Sequence, residues 1–156
     1  MNDTTYAIAG FTVGVLGTLA LRGTISHFYN VAKAAGSSLG NLKMVIVMRT
    51  DLPMTNGKIA SQAAHAAVSC YKAASDSNPS LLKAWELLGQ PKIVVRTNSD
   101  KELVTLSEKA KRMGVINVLI RDAGRTQIPG GSVTCLGIGP DKASVIDSIS
   151  GHLRLL

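Results

Sequence analysis

The pattern of apolar and polar positions changes along this chain, from an uncharged apolar run through a linker to strand and helix patterns. From Thr4 to Leu21 they do not alternate at all: TTYAIAGFTVGVLGTLAL is an uncharged run of 18 residues, at the short edge of a membrane span. Residues 22–42, ending in AAGSSLGN, gather Gly and Ser and read as a linker. At Lys43 a regular pattern begins. MVIVM is short and β-branched, the signature of a buried central strand, and a polar turn with Asp51, Pro53, Asn56 and Gly57 follows. Lys58 to Lys72 then has helical spacing. Ile59, Ala60, Ala63, Ala64, Ala67 and Val68 are expected to form its inner face, with Lys58, Gln62, His65, Ser69 and Lys72 on the opposite stripe.

Further on, Pro79 opens a short helix through Leu88, and Gly89, Gln90 and Pro91 end it. KIVVRT (92–97) predicts a second strand. Asp100 to Met113 predicts a helix capped by Ser99, with acids early and bases late, as the helix dipole favours. Val115 to Ile120 is the third expected strand and Val133 to Ile138 the fourth. GPDKASVIDSI starts a last helix with Pro140 near its first turn, and residues 151–156 form a short tail. The order β-α-α-β-α-β-β-α implies a single compact three-layer α/β domain over 43–156. Its sheet is expected to be mixed, mostly parallel and four-stranded, with one antiparallel pair and helices on both faces.

Composition changes this picture in two respects. Lys and Arg exceed Asp and Glu by seven, and 15 of the 17 basic residues lie at or after Lys43, so a polyanionic partner suits the domain, nucleic acid first and an anionic membrane second. Cys70 and Cys135 are isolated in apolar segments, which points to buried thiols in a reducing compartment. Asp3 precedes the apolar run and Arg22 and Lys33 follow it, so an anchor formed by residues 4–21 would leave the domain in the cytosol. Gly10 and Gly14 add one weak G-x-x-x-G pairing signal.

Several chemistries are excluded by what is missing. Gly137-Ile138-Gly139-Pro140 is not a dinucleotide fingerprint, and Gly57-Lys58-Ile59 lacks the flanks of a Walker A loop. His27, His65 and His152 have no ligand-spaced partner for a metal, and no G-x-S-x-G elbow is present. What remains is Lys58, Gln62 and His65 on the first helix, and the loop Asp122 to Gln127. If the first and third strands run the same way, these two groups converge at one edge of the sheet. A histidine with an aspartate can then activate water, and a lysine with backbone N–H groups can hold developing negative charge. Each residue has a plainer role open to it. Asp122 and Arg125 can be a turn salt bridge, Thr126 and Gln127 can serve their own loop, His65 can edge the core, and Lys58 can be solvated.

The stretches KMVIVMRTDLPMTNGKIASQAAHAAVSCYK, WELLGQPKIVV, RDAGRTQIPGGSVTCLGIGP and IDSISGHLRLL cover nearly all of 43–156, and their combination resembles the second type of peptidyl-tRNA hydrolase. The resemblance implies cleavage of the ester between a peptide and the 3′-terminal ribose of tRNA, with peptidyl-tRNA as partner, no cofactor and no metal, and often a homodimer. The family's site residues fall on Lys58, Gln62, His65, Asp122 and Thr126. We expect Lys58, His65 and Asp122 to be catalytic, and Gln62, Gly124, Arg125, Thr126 and Gln127 to bind substrate. Pro53 stands where many relatives carry lysine. The leader resembles the extension of eukaryotic members and implies a mitochondrial location, expected at the outer membrane with the domain facing the cytosol; the alternatives are a cleaved leader with matrix delivery, or a cytoplasmic protein. Two other functional classes remain open, a catalytically silent tRNA- or RNA-binding module and an adaptor at a membrane surface.

Overall fold

The computed structural model describes residues 22–24, 26, 41–124 and 128–156. The chain divides into two compact units, Met1–Ala35 and Gly36–Leu156. In the first, Arg22, Gly23, Thr24 and Ser26 are helical and exposed. The apolar run 4–21 lies outside the described residues. Among those described, no helix is long and apolar enough to cross a membrane.

The second unit carries five strands: β1 (Leu42–Arg49), β2 (Lys92–Thr97), β3 (Asn117–Arg121), β4 (Val133–Lys142) and β5 (Arg154–Leu155). Its helices are α1 (Asn56–Ser77), α2 (Pro79–Leu87), α3 (Asp100–Arg112) and α4 (Ala143–Ser150). The strands lie in the order β3-β4-β1-β2-β5. Alternation along β1 divides the core. Val45 and Val47 pack with Leu103, Leu106, Ile146 and Ile149 on the α3/α4 side. Met44, Ile46 and Met48 face the other way, toward α1 and α2 through Ala66, Cys70, Ala74 and Trp85. Three layers result, as the element order implies.

The sheet differs from the mostly parallel, four-stranded expectation. β1 and β2 are its single parallel pair. β4 runs antiparallel to both β1 and β3, and β5 is antiparallel to β2. β4 inserts between β1 and β3 because it is buried on both faces from Val133 to Pro140, which a central position requires. A continuous apolar run signals that burial but not the strand's direction. β4 also continues to Lys142, so Pro140 lies in the strand and the last helix starts at Ala143. The tail is ordered as an edge strand, with Leu155 opposite Val95 and the Leu156 N–H donating to the Val94 carbonyl at 3.1 Å. β3 is antiparallel to β4 and β4 to β1, so β1, β2 and β3 all point the same way and end at one edge.

α1 is longer than the periodic stretch Lys58–Lys72 and is rotated from its expected seating. Its buried residues are Gln62, Ala66, Cys70 and Ala74, one per turn. Ala60, Ala64 and Val68, expected inside, are exposed. Close approach to β4 explains the rotation. A Cβ on Gly137 would lie 2.5 Å from Cys70 Sγ and 3.2 Å from the Ala66 carbonyl oxygen, so the helix occupies the space a side chain would take.

Candidate active site

The turn leaving β1 is braced before it delivers α1. Arg49 donates from Nε and Nη2 to the Asp51 carboxylate at 2.9 and 2.5 Å, and from Nη1 to the Val133 carbonyl at 3.0 Å. The guanidinium holds the Asp51 carboxyl below the usual range. Thr55 caps α1, its hydroxyl accepting from the Lys58 N–H at 3.4 Å. Lys58 and Gln62 are thereby set one turn apart on the side facing the end of β3.

There they meet Asp122. Lys58 Nζ lies 2.5 Å from Asp122 Oδ2, with both side chains under one tenth exposed. Gln62 Nε2 donates to the same oxygen at 3.3 Å, and the Gly124 N–H donates to Oδ1 at 2.8 Å. The Lys58 bond, followed by the Gly124 N–H, holds the Asp122 carboxyl below the usual carboxylate range against the opposing effect of burial. Backbone bonds fix the loop as well: the Asp122 N–H donates to the Ser132 carbonyl at 2.9 Å, and the Gly131 N–H to the Asp122 carbonyl at 2.8 Å. Gly124 has φ +74°, and a Cβ there would stand 2.7 Å from Gly130 Cα. Glycine is what allows that N–H to turn back onto the carboxylate.

The far end of the Gln62 amide is held by a residue that pattern reading passed over. Thr134, fully buried on β4, donates to Gln62 Oε1 at 2.6 Å. Its hydroxyl also lies 3.3 Å from the Ile120 carbonyl. The available signal was a lone polar residue inside the buried run Val133 to Ile138. The remaining predicted residues are not gathered here. His65 is exposed, one turn beyond Gln62, and makes no hydrogen bond or ion pair among the described residues. Arg125, Thr126 and Gln127 lie outside the described residues. Among those described, no three His, Cys, Asp or Glu side chains are grouped to hold a metal ion.

The basic residues of 43–156 are widely dispersed. Lys43 is paired with Asp147 at 2.6 Å, and Lys109 is bonded to the Ser148 carbonyl. α3 leaves the carboxyl end of β2 and returns to the amino end of β3, so Lys109, Lys111 and Arg112 in its last turn lie at the edge away from Asp122. A buried carboxylate with three donors, one of them a nearly buried ammonium, is a preorganised electrostatic site. It can orient water or a hydroxyl, and it can hold charge that develops on an oxygen.

The profile of the family described as Peptidyl-tRNA hydrolase PTH2 matches residues 42–156. The chain is 49% identical over 142 residues to a Bos taurus protein named "Peptidyl-tRNA hydrolase 2, mitochondrial", covering 91% of this chain and 79% of that one. A Homo sapiens protein of the same name is 52% identical over 116 residues, 74% of this chain and 65% of the relative. A Methanothermobacter thermautotrophicus protein named "Peptidyl-tRNA hydrolase" is 47% identical over 115 residues, 74% of this chain and 100% of the relative. The segment shared with the human relative is thus just under two thirds of that protein's length. With its profile match over the whole α/β unit from β1 to β5, this chain belongs to the peptidyl-tRNA hydrolase PTH2 family.

Proposed function

We propose that this protein hydrolyses the ester between a peptide and the 3′-terminal ribose of tRNA, releasing free tRNA and peptide without a cofactor. The observation that carries the reading is the Lys58–Asp122 pair at 2.5 Å, clamped by Gln62 and the Gly124 N–H at one edge of the sheet. Water attacks the ester carbonyl, and negative charge grows on its oxygen. Lys58 stabilises that oxygen or the terminal phosphate. Asp122 orients the water, and His65, exposed one turn beyond Gln62, completes the acid–base arrangement that activates it. The low basicity of Asp122 supports an orienting role for the carboxylate. Gly124, Arg125, Thr126 and Gln127, consecutive in the sequence, position the 3′ end with Gln62.

The test compares folded single variants acting on a peptidyl-tRNA. Asp122→Asn and His65→Ala are expected to lower turnover by roughly 10²-fold or more. Lys58→Ala is expected to lower kcat by about 10²–10³-fold if it serves the oxyanion. A loss confined to KM would make Lys58 a phosphate contact. Near-parental turnover in both Asp122→Asn and His65→Ala would overturn the acid–base assignment. RNA binding without turnover by the parental protein would select the silent binding module.

The same reading takes 43–156 as the hydrolase domain, 22–42 as linker and 1–21 as anchor or leader. Relatives named as mitochondrial support a mitochondrial location. Attachment to the outer membrane through residues 4–21 is the finer proposal, checked by carbonate extraction and protease protection of the full chain. A homodimer is checked by sedimentation.

A further inference from the structure

A polar recess opens at the edge of the sheet where β1, β2 and β3 end. It has a volume of about 500 Å³, and its lining includes Thr50, Arg96, Asn98, Glu102, His152 and Arg154. Arg96 and Arg154 are direct register partners across the antiparallel β2–β5 pair, so their side chains leave the same face of the sheet. Both are exposed, and neither has a hydrogen bond or ion pair among the described residues. Like charges directly opposite one another repel, and here nothing else on those two strands separates or neutralises them. The nearby carboxylate is already engaged, since Glu102 accepts from the Thr97 hydroxyl and lies 3.5 Å from His152 Nε2. Asn98 is exposed on the rim, and the Thr50 hydroxyl donates to the Thr97 carbonyl at 3.2 Å.

We propose that Arg96 and Arg154 together hold a backbone phosphodiester of the RNA strand whose 3′ end lies at Lys58 and Asp122. This rests on the peptidyl-tRNA reading above. Paired guanidinium groups with no acceptor among the described residues suit a phosphate, whose oxygens can take both forks at once. The spacing also suits one continuous strand. Asp122 leaves the end of β3, and β2 lies three positions away in the order β3-β4-β1-β2. At ~4.8 Å per strand the separation is about 14 Å. That is roughly four nucleotides at the ~3.4 Å rise of a stacked strand, and fewer where the strand is extended. The contact therefore reads length and charge, not sequence.

The experiment uses the full chain and a series of peptidyl esters, from peptidyl-adenosine to 3′-terminal tRNA fragments of increasing length. For Arg96→Ala/Arg154→Ala, the ratio of parental to variant kcat/KM is expected to be near one for peptidyl-adenosine. It should rise to about tenfold or more once the strand reaches roughly four nucleotides. Arg96→Lys/Arg154→Lys should recover part of that gain, because it restores charge but not the fork. Affinity for uncharged tRNA should lose about 0.9 in salt slope for each duplex phosphate contact removed, or about 0.7 for a single strand. The melting temperature of the alanine pair should stay level or rise as the repulsion is relieved. A ratio independent of strand length, or a marked fall in melting temperature, overturns the proposal and makes the arginines structural. A parental protein that cleaves none of the esters removes the hydrolase reading instead; the salt slope of RNA binding still decides the arginines.

Discussion

The Thr134 hydroxyl donates to Gln62 Oε1 at 2.6 Å, and that bond decides which way a buried amide faces. With its oxygen held by β4, the amide presents Nε2 to Asp122 Oδ2 at 3.3 Å. A strand residue thus sets the polarity of a helix residue, which in turn helps hold the carboxylate beside Lys58.

Thr134→Val keeps the shape and removes the donor. Gln62 Oε1 is then buried without its partner, which costs about 1–3 kcal/mol. Denaturant unfolding should report a loss in that range. Turnover should fall as well, because the amide is free to flip and Asp122 loses a donor. Unchanged stability and turnover would mean that the Thr134 bond does not orient Gln62.

The Asp122 carboxyl lies below its ordinary range, chiefly through Lys58. Its folded pKa is therefore lower than its unfolded pKa. The stabilisation is fully present above the unfolded value, about 3.9, and is lost as pH falls through the folded value. The melting-temperature gap between the parent and Asp122→Asn should be constant from about pH 5 to pH 8 and shrink below about pH 4. A gap that instead closes between pH 6 and pH 8 would show that Asp122 is not held as a low-pKa carboxylate.

Burial pushes the thiols of Cys70 and Cys135 up to about 12 from 9.0. That rise reduces the thiolate fraction near pH 8 by about a thousandfold, before access is considered. Neither thiol should react with a soluble disulfide reagent in the folded protein, and both should react after denaturation. Fast labelling of either one in the native state would contradict the packing of α1 on β4.

Gly124→Ala introduces a Cβ 2.7 Å from Gly130 Cα at φ +74°. The left-handed conformation alone costs roughly 1–2 kcal/mol, and the contact adds to it. The loop should shift and withdraw its N–H from Asp122 Oδ1, with a fall in both kcat and melting temperature. Gly57→Ala is the control, because a Cβ there has open space. Equal behaviour of the two variants would remove Gly124 from the carboxylate clamp.

The sequence by itself determined most of the local order: an apolar strand entering a turn, a proline-opened α2, Ser99 at a helix start, and two buried thiols. Those features depend on neighbours within a few residues, where period, capping and turn chemistry act. It also set Lys58, Gln62 and His65 against the Asp122–Gln127 loop, through a motif and a shared strand direction; the structure brings Lys58 and Gln62 to Asp122 and leaves His65 exposed. The tertiary structure decided what depends on contacts between distant segments. β4 chose its place between β1 and β3, and the tail closed the β2 edge, because burial and edge pairing are properties of the assembled sheet. α1 turned Gln62 inward and Val68 outward because Gly137 admits the helix backbone and Thr134 supplies the partner a buried amide needs. Helical period marks which residues share a face, but the surface opposite decides which face is buried.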